Sequence, residues 1–278
     1  MKLVTFVEGG KDARPGLVVE GGVVDLSGEG FQDTIAFMAA PASVQAEVAK
    51  SKAVVGLEGV KLLAPVPQPP RIFGIGVNYA EHAKESDTPM QKVPTVFMKL
   101  SSAVIGVGEN IILPKASEKP DYEAELAVVI GKAGYQIPAA QAMEHVFGYT
   151  IMNDVSARDV QKATSQFTLG KSFPTFAPMG PWVVSRDEVA DPHSLRITLK
   201  IDGETLQDST TGNMIFKIPA LIEYISGITP LQVGDVISTG TPEGVGMGRT
   251  PPRWLKPGEE IVIELQSVGE LRNQTVAE

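Results

Sequence analysis

Cysteine is absent from this 278-residue chain, so it has no disulfide, thiolate metal site or thiol nucleophile. Any metal it holds must use oxygen or imidazole ligands, and imidazole is scarce too, with three histidines. Basic residues are the minority charge. The 24 Lys and Arg stand against 33 Asp and Glu, and a net charge of −9 argues against nucleic-acid phosphate or an anionic membrane as the main partner. No stretch approaches the ~18 uninterrupted apolar residues of a membrane-spanning helix. The opening MKLVTFVEGG reads as a strand running into a Gly-Gly turn rather than as a signal peptide. The expectation is a cytoplasmic protein acting on a small molecule, without nucleic acid or membrane as partner.

At 43% hydrophobic and 21% charged residues, the chain has the composition of a packed globular protein. Residues 1–68 read as a small α+β unit: strand-like KLVTFV, a hairpin around Gly21 and Gly22, then a helical run interrupted by Pro41. APVPQPPR follows as a semi-rigid extended connection, because proline fixes φ and removes backbone donors. Residues 69–278 are dominated by strand-length apolar runs, among them RIFGIGVNY, TVFMKL, EAELAVVIG and EEIVIELQSVGEL. Helical patterns are fewer: AEHAKES, AAQAMEHVFGYT, ARDVQKATSQF and MIFKIPALIEYISG. Because strands and helices do not alternate regularly, the fold class is α+β and strand-rich, with mixed sheets.

DYEAELAVVIG places Glu123 and Glu125 on one face of a strand that then loses all polar alternation and enters the core. Two such acids could line one wet face, or a hard divalent cation could relieve their repulsion. In GYTIMNDVSARDVQ, Asp154 could cap the following helix or join those acids; Arg158 and Gln161 share a helix face, solvated or turned to a ligand carboxylate. His145 reads as packed within a helix and His193 as exposed. His82 stands one helical turn before Glu85, which suits either a surface ion pair or a general base whose ring a carboxylate orients. Lys171 lies in a glycine-flanked loop, and VISTGTPEGVGMG offers backbone N–H groups to an anionic ligand without the ending of a nucleotide P-loop.

Taken in order, NYAEHAKE, PTVFMKLSSAVIG, DYEAELAVVIGK, GYTIMNDVSARDVQ, GKS, APMGPW and GDVISTGTPEGVG resemble the fumarylacetoacetate hydrolase family, from about residue 71 to the C-terminus. The resemblance implies a mixed β-sandwich or β-roll catalytic domain behind a small N-terminal domain, assembled as a homodimer. It implies a Mg²⁺ or Mn²⁺ site at Glu123, Glu125 and Asp154, a His82–Glu85 dyad on a lid-like segment, and a charge-steadying Lys171. Arg158, Gln161 and Thr241 match substrate positions. The activity it implies is hydrolytic cleavage of a carbon–carbon bond in a 2,4-diketo or acylpyruvate-type acid, through an enolate that the metal stabilises. A decarboxylase of oxaloacetate type or an isomerase of enol or dienoic acids would use the same site. A non-catalytic metal-binding module is the reading from another class; such a module has no use for His82, Glu85 and Lys171.

Overall fold

The computed structural model describes residues 1–87, 89 and 91–278. Its strands form a large sheet of eleven and a second of five among the described residues. The main path of the large sheet runs, edge to edge, through Gly22–Asp25, Arg14–Val19, Lys2–Glu8, Ala177–Ser185, Val146–Asn153, Ala124–Ile130, Val236–Ser238, Ile72–Gly76 and Thr95–Lys99. The smaller sheet orders Glu204–Thr210, Arg196–Ile201, Glu260–Leu265, Gly269–Ala277 and Ile111–Leu113. Pairing is mostly antiparallel. Val236–Ser238 runs parallel to Ile72–Gly76, and that contact joins two segments of the site.

Ala124–Ile130 lies inside the large sheet and is buried along its whole length. Alternation sends Leu126, Val128 and Ile130 into a core shared with Ile197, Leu199, Ile261 and Ile263 of the smaller sheet. The opposite side presents Ala127 and Val129 to a second core containing Leu3, Leu17, Phe37 and Met38. A strand covered on both faces has no wet side, which is why AVVI carries no polar residue. These stacked, strand-rich layers are the α+β sandwich expected from the sequence.

The first strand is hydrogen-bonded to Ala177–Ser185, so the N-terminal hairpin extends the large sheet. Two helices, Thr34–Met38 and Ala42–Val48, follow it on either side of Pro41. Two helix expectations are corrected. AAQAMEHVFGYT forms a tight 3₁₀ stretch, Ala139–His145, and then the strand Val146–Asn153, because the β-favouring residues Val146, Phe147, Tyr149 and Thr150 open a strand that pairs with Ala124–Ile130 on one side and Ala177–Ser185 on the other. ARDVQKATSQF contributes only the four-residue turn of helix Arg158–Gln161. No helix among the described residues is long and apolar enough to cross a membrane.

Candidate active site

Three carboxylates converge where strands of the large sheet end. Glu123 precedes Ala124–Ile130, Glu125 lies within it, and Asp154 follows Val146–Asn153. All three are buried, and one oxygen from each lies within 4.8 Å of the others. The backbone holds them in register: Asp154 N–H donates to Glu123 O at 2.9 Å, and Asn153 Oδ1 accepts from Glu123 N–H at 3.0 Å. Asp154 caps no helix. The N-terminal position of Arg158–Gln161 is Ala157, without a side-chain cap, and the Asp154 carboxylate is committed to lysines instead.

Lys171 Nζ sits 2.7 Å from Glu123 Oε2 and 2.8 Å from Asp154 Oδ2, and 4.9 Å from the centroid of the Phe97 ring. The loop lysine of the sequence reading is therefore a buried one. Burial works against its charge, but Asp154 and then Glu123 outweigh that cost and hold its pKa above the usual lysine value. Lys99, which the sequence reading gave no role, reaches Asp154 Oδ1 at 2.6 Å and the carbonyls of Val155 and Lys171. Its ammonium is fully enclosed, and burial, only partly offset by Asp154, draws its pKa down.

The two glutamates are unlike. Burial would raise the Glu123 pKa, yet Arg158, Lys171 and His82 together hold it well below the usual carboxylate range. Among the described residues, no cation forms an ion pair with Glu125. Its Oε2 accepts from Ser238 Oγ at 2.5 Å and Gly240 N–H at 2.9 Å, while burial, then Asp154 and Glu123, push its pKa well above the ordinary value. An all-oxygen cluster with like-charge repulsion left at Glu125 is the donor set that a hard, six-coordinate divalent cation such as Mg²⁺ or Mn²⁺ fits.

A cavity of about 130 Å³ opens beside these acids, lined among others by His82, Arg158, Gln161, Thr241 and Lys171. Ile75, Phe97, Phe167 and Met247 supply apolar wall. Val77, on the same wall, holds φ at +55°, a strained conformation for a β-branched residue. His82, in the helix Ala80–Glu85, is buried, with Nδ1 2.8 Å from Glu85 Oε1. Glu85 Oε2 accepts from Gly244 N–H at 2.8 Å. Arg158 Nη1 donates to Gln161 Oε1 at 3.1 Å. Thr241 Oγ1 donates to Ala124 O at 3.0 Å and accepts from Gln207 Nε2 at 2.9 Å.

The glycine-rich loop spends several of its donors on carboxylates of the protein itself. Gly240, Gly244, Gly246 and Met247 give their N–H groups to Glu125, Glu85 and Asp121. The remaining histidines lie apart from the site. His145 Nδ1 meets Lys132 O at 2.8 Å, and His193, expected exposed, is half-buried with Nε2 accepting from Ile218 N–H at 3.2 Å.

The family model described as fumarylacetoacetate (FAA) hydrolase, C-terminal, matches residues 71–276. A bovine (Bos taurus) relative named oxaloacetate tautomerase FAHD2A, mitochondrial, is 43% identical over 291 residues, covering 99% of this chain and 92% of that protein. The human (Homo sapiens) protein of the same name is 45% identical over 219 residues, covering 78% of this chain and 70% of its own length. Among solved structures, a fumarylacetoacetate hydrolase from the psychrophile Exiguobacterium antarcticum superposes with a TM-score of 0.87 at 35% identity, covering 100% of both chains. Maleylpyruvate hydrolase from Sphingobium sp. SYK-6, in complex with manganese (II) ion and pyruvate, gives 0.84 at 29% identity over 100% of this chain and 99% of that one. On this evidence the chain is a member of the fumarylacetoacetate hydrolase family of enzymes.

Proposed function

We propose that this enzyme interconverts the keto and enol forms of a short 2-oxo dicarboxylic acid of the oxaloacetate class, with a divalent cation at Glu123, Glu125 and Asp154. One observation carries the reading: three buried carboxylates lie within 4.8 Å of one another, and two of them, Glu123 and Glu125, share a cavity wall with His82, whose ring is oriented by Glu85. The cavity, about 130 Å³, is small beside sites for drug-sized ligands and suits a compact acid. The names of the bovine and human relatives point the same way.

When bound, the cation would supply a Lewis acid that polarises the 2-oxo group and favours loss of a proton from the neighbouring carbon. Lys171, already charged between Glu123 and Asp154, steadies negative charge on the substrate oxygen. Arg158 and Gln161 hold a carboxylate, and Thr241 contacts the substrate from the loop side. With Nδ1 held by Glu85, His82 moves the proton at Nε2.

A second reading is hydrolytic cleavage of a 2,4-diketo or acylpyruvate-type acid, favoured by the same dyad, which is equally suited to activating water. The test is NMR of the products formed from enol oxaloacetate and from an acylpyruvate. Keto oxaloacetate without carbon–carbon cleavage supports the first reading. Pyruvate plus a second acid from the acylpyruvate supports the other, and CO₂ release from oxaloacetate would make the enzyme a decarboxylase.

Mg²⁺ and Mn²⁺ both suit the donor set, and the maleylpyruvate hydrolase structure holds the latter. A homodimer and a cytoplasmic location belong to the same proposal; the absence of cysteine suits a reducing compartment, while the named relatives are mitochondrial. The division near Gln68 rests on the family match beginning at residue 71, with the sheet continuous across it.

A further inference from the structure

Asp121 opens the DYEAEL motif and is completely buried, yet none of the chemistry above uses it. Its carboxylate accepts four hydrogen bonds. Oδ1 takes Tyr122 N–H at 2.9 Å and Gly246 N–H at 2.7 Å, and Oδ2 takes Arg158 Nε–H at 2.8 Å and Met247 N–H at 3.0 Å. At Gly246 a Cβ would lie 1.9 Å from Arg253 O and 2.6 Å from Asp121 Oδ1, so only glycine lets the loop come this close. Two residues earlier, Gly244 N–H braces Glu85 and Gly244 O accepts from Tyr122 Oη–H at 3.0 Å.

The other end of the link is Arg158. Nε is fixed by Asp121 and Nη1 by Gln161, while Nη2 is ion-paired with Glu123 Oε1 at 2.6 Å. That nitrogen is buried and, apart from this ion pair, has no partner among the described residues, on a side chain that lines the cavity. A guanidinium held at two of its nitrogens presents the third in one orientation.

We infer that Asp121 is a positioning residue: its carboxylate fixes the Arg158 guanidinium so that Nη2 is offered to substrate, and ties that arginine to the loop that braces Glu85. Substrate grip and proton transfer then share one anchor on the 244–248 loop. The inference rests on the reading of Arg158 as the group that holds a substrate carboxylate. A buried ion pair serving stability alone would need no such alignment.

The test uses the metal-loaded enzyme. Asp121→Asn keeps the shape but gives up the charge and one acceptor, so kcat/KM for the keto acid should fall about 10- to 100-fold, while metal affinity by calorimetry stays near wild type. If Asp121 acts through Arg158, adding Asp121→Asn to Arg158→Lys should cost little beyond Arg158→Lys alone. Additive losses, or an unchanged kcat/KM, would overturn the inference. A measurement on the wild type guards against a variant that does not fold: NMR hydrogen exchange at the Arg158 Nε–H, assigned by its loss in Arg158→Lys. Strong protection supports the anchor, and exchange at the rate of a free guanidinium overturns it. Because this arm needs no turnover, a protected Nε–H in an enzyme inert toward keto acids would count against the proposed function and not against the anchor.

Discussion

Glu85 accepts a hydrogen bond from the backbone N–H of Gly244 at 2.8 Å with one carboxylate oxygen while the other lies 2.8 Å from His82 Nδ1. The acid of the dyad is thus gripped from the far side by the glycine-rich loop. Gly248 leaves room for it, since a Cβ there would stand 2.7 Å from Glu85 Cδ. Gly248→Ala should displace a movable side chain without disturbing the core. Turnover is expected to drop by up to about 100-fold, because small misplacements near the reacting groups are costly. Thermal melting should stay close to wild type; a large fall in Tm with normal activity per folded molecule would contradict the dyad's dependence on this loop.

His82→Ala removes the proton-moving group and leaves the three carboxylates in place. A general base contributes about 10²- to 10⁴-fold, so steady-state turnover should fall by that order with metal affinity retained. An unchanged rate would remove His82 from the mechanism.

The glutamates are expected to respond in opposite ways. Glu123 faces Arg158 and Lys171, so Glu123→Ala takes one of two carboxylate partners from each of these buried cations, leaving Asp121 and Asp154, and should cost about 1 to 3 kcal/mol of apo stability. Among the described residues, the hydrogen-bond partners of Glu125 are Ser238 and Gly240, and Asp154 and Glu123 repel it. Glu125→Gln should leave apo stability level or raised, yet weaken Mn²⁺ binding by more than about 100-fold, beyond what loss of an outer-shell partner costs. Calorimetry and chemical denaturation of both variants decide this, and equal destabilisation would contradict the pairing.

Asp159 gives a pH prediction away from the cation site. Burial opposes its charge, but Ser117 Oγ and the N–H groups of Glu118 and Val160 together outweigh it and hold its pKa below the ordinary 3.8. A lowered carboxylate pKa stabilises the fold above the unfolded value, and that stability is lost as pH falls through the folded one. Asp159→Asn should therefore cost up to about 1 kcal/mol at pH 7, after allowing for solvent screening, and almost nothing in acid below the lowered pKa. A penalty that persists in acid would contradict this origin.

What the sequence made legible at the site was local. Glu123 and Glu125 two apart, and His82 and Glu85 three apart, declare themselves through strand and helix periodicity. Lys99, Asp121 and Ser238 stayed silent because their partners are distant: Asp154 is 55 residues from Lys99, Arg158 is 37 from Asp121, and Glu125 is 113 from Ser238. Lys99 did carry one signal, a lysine closing the apolar strand TVFMK, where a charge needs an enclosed partner. The fold class followed from strand-length runs and punctuation. Joining of Lys2–Glu8 to Ala177–Ser185 follows from non-local pairing that no window of sequence displays.

The most direct measurement of the central claim is the enol-to-keto conversion of oxaloacetate by metal-stripped enzyme before and after Mn²⁺ is returned, with Glu125→Gln alongside at the same free Mn²⁺. The account predicts little conversion by stripped protein above the buffer rate, full recovery in the wild type, and none in the variant beyond what Mn²⁺ achieves alone. Equal conversion by the stripped enzyme, or full recovery in Glu125→Gln, would contradict it.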